Sequence, residues 1–170
     1  RVVVLANSAD PDSLLVARHY CSARRIPEGN ILALPMPLRE TISWREFVDT
    51  LWEPLAAALE REGWIDWVVS GQTDVAGRRV RLTNHHSIAY LVLCRGVPLR
   101  VAEDASLQDQ PVDQALARQT KLKANCASVD SELAVLPYFR ASLSAFVPNP
   151  FFLNQAPTQK DLDSVLRVAR

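Results

Sequence analysis

Hydrophobic positions in this chain fall into short runs separated by turn residues. Val2-Val3-Val4-Leu5 is an unbroken, β-branched-rich run, the pattern of a strand covered on both faces in a parallel sheet. It leads through Asn7-Ser8-Ala9-Asp10 into a helix with Asp10 as N-cap and Pro11 as first residue, where the missing amide proton would be unpaired in any case. The spacing predicts a helix to about residue 25, with Leu14, Val16, Ala17, Tyr20 and Cys21 facing the sheet and Asp12, Arg18, His19, Ser22 and Arg25 facing away. Ile26-Pro27-Glu28-Gly29-Asn30 is a turn, and residues 31–34 form a second strand stopped by Pro35 and Pro37. The result is a β-α-β unit, expected to be right-handed.

Ser43 and Glu46 have capping-box spacing, and Phe47, Val48, Leu51, Trp52, Leu55 and Leu59 continue at helical intervals until Gly63. Pro54 is expected to kink or split that helix. Residues 64–86 mix a strand-like Trp67-Val68-Val69 with Gly71, Gly77 and three arginines, and read as a polar hairpin excursion. Residues 87–93 form a third buried parallel strand, ended by Gly96 and Pro98. Residues 103–123 are polar and aperiodic, a loop with a helical turn or two over 112–118. Ser128 caps a short helix ending near Pro137, with Asp130 and Glu132 in the first turn where the helix dipole favours acids. Pro148-Asn149-Pro150-Phe151-Phe152 is extended, and residues 165–169 alternate like the start of another strand. The expectation is an α/β fold, a three-layer Rossmann-like or flavodoxin-like sheet, mostly parallel, with helices on both faces. It forms a single domain over 1–170, cut short at its carboxyl end.

Composition sharpens this by exclusion. A chain of 170 residues with 48% hydrophobic and 22% charged side chains has the make-up of one ordinary globular domain. Lys+Arg and Asp+Glu balance at 19 each, so no overall field draws the chain to nucleic acid or an anionic membrane. No apolar run approaches the roughly 20 residues of a membrane helix. Cys21, Cys94 and Cys126 lack CxxC or CxxH spacing and read as small hydrophobes; neither a metal site nor a cofactor is expected. Neither GxGxxG nor GxxxxGK[ST] occurs, which removes the two common phosphate-binding loops. Arg78, Arg79 and Arg81 lack interleaved aromatics and read as a solvated hairpin.

Four blocks occur together in order: Asn7-Ser8-Ala9-Asp10-Pro11-Asp12-Ser13, Tyr20 through Arg24-Arg25-Ile26-Pro27, residues 91–100 from Leu91 to Arg100, and Ala127-Ser128-Val129-Asp130-Ser131-Glu132-Leu133. The set resembles a bacterial family without an established activity, found in genomes that also encode exosortase, the proposed transpeptidase of a protein-sorting system. The resemblance covers nearly the whole chain but only the amino-terminal half of a family member. It implies an export signal ahead of residue 1, a further α/β portion beyond residue 170, and a location in the periplasm or at the cell surface.

In a parallel α/β sheet, ligands bind outside the carboxyl ends of the strands, here Asn7-Ser8, Pro35 and Cys94-Arg95-Gly96. Asn7 and Ser8 can hydrogen-bond a ligand, Asp10 and Asp12 flank a helix start, and Arg95 offers a planar cation to a carboxylate or phosphate. The alternative assigns Asn7 and Ser8 to the turn, Asp10 to the cap and Arg95 to an acidic neighbour. Asp130 and Glu132 form a second acidic candidate, Asp130 as a general acid or base working with Arg95 across the cleft, or simply as a dipole-favoured helix start. Cys94 with His85 and His86 invites comparison with cysteine proteases, but the histidines precede the strand that Cys94 follows. Two readings stand: a hydrolase-like enzyme using Asp130 and Arg95 with Asn7, Ser8, Asp10, Asp12 and Glu132 around a cleft, or a non-catalytic binding or scaffold module. The latter would hold an envelope protein or peptide in the cleft or on Phe151-Phe152.

Overall fold

The computed structural model describes residues 1–107, 115, 126–137 and 166–170. At its centre is β1 (Val2–Asn7), whose side chains alternate between two apolar clusters. Val3 and Leu5 enter the larger one, and Val4 and Ala6 the smaller; all four are fully buried. That two-sided burial is why the run carries no polar alternation, and each fully buried Val or Leu contributes roughly 1.5–3 kcal/mol relative to exposure.

The helix α1 (Pro11–Arg24) starts as its residues dictate: Asp10 is the N-cap, its side chain accepts from the Asp12 amide, and Pro11 opens the first turn. Arg25 ends it in the left-handed region, φ 55°. The face buried against the sheet is narrower than the pattern suggested. Ser13, Ala17 and Cys21, spaced four apart, are covered, whereas Val16 is exposed. Small side chains let the helix approach the strands closely, so the seam is a small-residue stripe and Val16 falls beside it.

After α1 come β2 (Ile31–Leu34), β3 (Thr41–Ile42) and a helical run in three parts. The run opens as α2 (Trp44–Phe47) with a complete capping box: Ser43 Oγ accepts from the Glu46 amide at 3.2 Å, and the Ser43 amide donates to Glu46 Oε2 at 2.9 Å. It then widens into a π turn over Val48–Trp52, where the Glu53 amide donates to Val48 O, five residues back, and resumes as α3 (Glu53–Arg61). Pro54 is the cause, because it has no proton for the carbonyl four residues earlier and the ladder loosens just ahead of it.

Antiparallel β4 (Ile65–Thr73) and β5 (Arg79–His86) follow, then β6 (Tyr90–Leu93), β7 (Arg100–Val101), β8 (Ala127–Ser128), the short helix α4 (Val129–Ala134) and β9 (Arg167–Ala169). The main sheet has the order β2-β1-β6-β9, with every pairing parallel. Beside it lie the small sheet β3-β7-β8 and the β4-β5 ribbon. The chain is therefore mixed α/β around a parallel four-stranded sheet. The third strand begins at Tyr90 rather than residue 87, because the Ser87 amide donates to Trp64 O at 2.9 Å instead of joining the ladder.

Arg78 and Arg81, expected in solvent, are buried with 1% and 7% of their surface exposed. Arg78 Nε donates to Asp74 Oδ2 at 2.6 Å and Nη1 to Glu132 Oε2 at 2.7 Å, while its guanidinium lies 4.9 Å from the Trp52 ring centroid and 5.6 Å from that of Trp44. Arg81 pairs with Glu53 and stacks on Trp67 at 5.3 Å. Burial raises the Glu53 carboxyl, but hydrogen bonds from Arg81 and the Arg79 amide outweigh it and leave the group below its ordinary value. Arginine suits such sites because its flat, weakly hydrated cation stacks on rings while its edge bonds carboxylates. Apart from residue 115, the polar segment expected beyond residue 107, its helical turn over 112–118 and the Phe151-Phe152 loop lie outside the described residues. Among the described residues, no helix is long and apolar enough to cross a membrane.

Candidate functional site

A cleft of about 530 Å³ opens at the carboxyl ends of β1 and β6. Its walls come from the β1–α1 turn (Ala9, Asp10, Pro11), the segment after β2 (Leu38, Arg39, Glu40), the loop after β6 (Arg95, Gly96, Val97, Leu99) and Arg170.

Asn7 fixes this geometry from beneath. It is fully buried; its Nδ2 donates to Met36 O at 3.1 Å and Gly96 O at 2.7 Å, and its Oδ1 accepts from the Ala9 and Met36 amides, both at 3.0 Å. One side chain thus ties together the chain leaving β1, β2 and β6, and it has no bonding capacity left for a ligand. Ser8 is exposed, donates its amide to Leu34 O at 2.9 Å, and is not part of the cleft wall.

Asp10 accepts the Asp12 amide at 3.1 Å with Oδ1 and turns Oδ2 toward Gly96. A Cβ on Gly96 would lie 2.7 Å from that oxygen, and Gly96 has φ +86°, so both the contact and the backbone demand glycine. Arg95 extends over the cleft mouth with 68% of its side chain exposed, its Nη1 3.1 Å from Asp12 Oδ2 and its Nε 3.8 Å from Asp10 Oδ2.

The acidic pair on α4 has different partners from those expected. Asp130 does not meet Arg95. It takes a fork from Arg170, with Nη2 at 2.6 Å and Nε at 2.9 Å, while Arg170 also donates to Val97 O at 3.2 Å and Pro98 O at 2.8 Å. Val97 and Arg170 both line the cleft, so Asp130 acts on it through Arg170, as a brace. Glu132 is buried in the Arg78 cluster described above, away from the cleft wall. The sequence did hold a signal for that cluster: acids at 53, 74 and 132 and tryptophans at 44, 52 and 67 are what buried arginines need for company.

Cys94 lies under β6 in the smaller apolar cluster; burial, with a lesser push from Cys21, raises its thiol to about 11. A thiol so protonated is no nucleophile at neutral pH. His86 Nδ1 is 3.0 Å from Ile88 O, at the opposite end of β6 from Cys94. Among the described residues, no group of three or more His, Cys, Asp or Glu could hold a metal ion. Comparison with known proteins finds no family model that matches the chain, no matching curated protein and no matching solved structure.

Proposed function

We propose that this chain is the ligand-binding part of an exported bacterial protein of the exosortase-associated kind, and that it holds an anionic group of a small molecule or envelope peptide in the β1–β6 cleft without chemically transforming it. The observation that carries this reading is the placement of Arg95 at the mouth of that cleft. Taken in chain order, the parallel strands lie second, first, third, fourth across the sheet. Connections after the first and third therefore leave in opposite directions and open a crevice between them, the position at which flavodoxin-like sheets take their ligands. On this ground the sheet is read as the core of a three-layer, doubly wound domain.

The side chains in the cleft favour binding over hydrolysis. None of its described wall residues carries a hydroxyl, thiol, imidazole or amine. Asp10 is spent on the helix cap and Asp130 on Arg170, and Glu40 is an exposed wall carboxylate with no nucleophile beside it in the wall, whereas the closer partner of Arg95 is Asp12, in an exposed pair worth about 0–1 kcal/mol. An incoming carboxylate or phosphate offers the same guanidinium two parallel bonds and displaces such partners at little cost.

The test is an NMR titration of the ¹⁵N-labelled chain with inorganic phosphate and with acetate, alongside Arg95→Gln. Saturable shifts at the Gly96 and Val97 amides that vanish in the variant are expected. Equal shifts in both proteins would overturn the reading. Turnover of fluorogenic ester or peptide substrates, abolished by Asp130→Asn, would replace it with the hydrolase reading.

A further inference from the structure

The cleft wall is half apolar, and its apolar members are not those a solvent-facing loop would carry. Leu38 stands between Pro37 and Arg39 at the rim with 67% of its surface exposed, facing a cleft that Pro11, Val97 and Leu99 also line. An exposed leucine alone means little. Here it sits on the rim of a preformed concavity, opposite an exchangeable cation. The concavity is preformed because Asn7 binds the three loops together and Gly96 is wedged against Asp10.

The two acids beside Arg95 differ in kind. Asp10 has 16% of its side chain exposed and is fixed by its cap bond and by the Gly96 backbone, so it stays whether or not a ligand is present. Asp12 has 58% exposed, and its contact with Arg95 is at 3.1 Å. It is the partner an arriving anion would displace. Arg39, which pairs with Glu46, and Arg170, which pairs with Asp130, are already committed.

Resting on the anion-binding reading, we infer that the cleft takes an amphiphilic oxyanion, a carboxylate or phosphate monoester carried on a short apolar body that packs on Leu38, Pro11 and Leu99. Asp12 is its built-in competitor for Arg95. A volume of about 530 Å³ suits a ligand of this size, larger than a bare anion and smaller than a folded partner. The neutral counterpart of such a ligand would leave Arg95 with Asp12 and gain only the apolar contact. A bare anion would gain only the guanidinium.

The experiment measures dissociation constants by NMR for five probes: 4-methylpentanoate, 4-methylpentanamide, acetate, isopentyl phosphate and inorganic phosphate. Each is titrated into the wild-type chain and into Asp12→Asn, Leu38→Ser and Arg95→Gln. At least one of the two amphiphilic anions should bind about tenfold or more tighter than its bare counterpart, and the tighter one identifies the headgroup. Asp12→Asn should tighten it by about two- to fivefold, Leu38→Ser should weaken it toward the bare anion, and Arg95→Gln should reduce it to the level of the amide. If no probe binds, the anion-binding reading itself falls. If bare and amphiphilic anions bind equally and Leu38→Ser changes nothing, the inferred ligand class is overturned while anion binding stands. If Asp12→Asn leaves every constant unchanged, Asp12 is not a competitor.

Discussion

Replacing Arg78, in the turn between β4 and β5, with Met should destabilise this chain more than any other single polar-to-apolar change over residues 65–86. Arg78 is 1% exposed; it bonds Asp74, whose side chain is fully buried, and Glu132, whose side chain is 9% exposed. Met fills much of the volume and keeps contact with Trp44 and Trp52, so the packing loss is modest. What remains is two carboxylates in a poorly hydrated site that have lost the Arg78 guanidinium. Breaking a buried pair in this way costs roughly 3–5 kcal/mol, because the surviving charge cannot be rehydrated in place. Against a total stability of about 5–15 kcal/mol, that is about a fifth or more. For a domain of this size it lowers the melting temperature by about 6–20 °C. Glu132→Gln should cost less, since the amide still accepts a hydrogen bond and Asp74 still neutralises Arg78. Urea denaturation of wild type, Arg78→Met, Glu132→Gln and the double variant would give the three losses and their coupling. A loss under about 1 kcal/mol for Arg78→Met, or strict additivity in the cycle, would refute the picture of a buried charge cluster.

Other substitutions probe the same physics elsewhere. Gly96→Ala should destabilise by about 1–2 kcal/mol from its left-handed backbone alone, plus the encounter with Asp10; in an Asp10→Ala background the added cost should shrink, and an unchanged cost would show that the contact does not matter. Glu46 is lowered from its ordinary 4.5 to about 2 by the Ser43 amide, by Arg39 and by the Ser43 hydroxyl. A carboxyl depressed on folding stabilises above its unfolded value and ceases to as the pH falls through the folded one. Glu46→Gln should therefore cost about 0.5–1 kcal/mol at neutral pH, kept small by solvent screening, and the gap to wild type should close between about pH 4.5 and 2 in a series of melts. In the thiol assay, Cys126, exposed, should react with a disulfide reagent at pH 8 in the native chain, while buried Cys21 and Cys94 wait for denaturant. Prompt reaction of all three would mean that the smaller apolar cluster opens freely.

The elements most legible in the sequence are those whose cause is local. Asp10 with Pro11, the Ser43–Glu46 box, the disruption at Pro54 and the unbroken apolar run of β1 each act within a few residues, and each is visible in the fold. Partners separated by tens of residues are legible at most as residue types, not as pairs. Nothing near Asp130 announces Arg170, forty positions on, and nothing near Arg78 announces Glu132. Periodicity likewise gives a helix face but not the width of the seam, which is why the pattern turns Val16 inward while the fold leaves it exposed. At the candidate site the strand ends were readable because parallel strands stop where their hydrophobic runs stop. The division of labour among the residues there was not, since an asparagine at a strand end bonds a ligand or a backbone with the same atoms.

How that ambiguity at Asn7 resolves bears on the binding reading proposed above. Had its amide faced the cleft, the β1 turn would carry recognition, and each ligand would reshape it. Instead, its four bonds go to backbone groups of three different loops, and losing either of the two buried ones to Met36 leaves a buried peptide group unpaired at a cost of about 1–3 kcal/mol. The turn is consequently rigid, and so is the glycine opposite, held by the same amide and hemmed in by Asp10. In the binding reading proposed above, recognition falls to side chains that can move without disturbing this frame, namely Arg95, Asp12 and Leu38, all largely exposed. Rigid floor and adjustable rim are what a binding site requires for specificity at low ordering cost. Catalysis would need the opposite, a reactive group fixed on the floor.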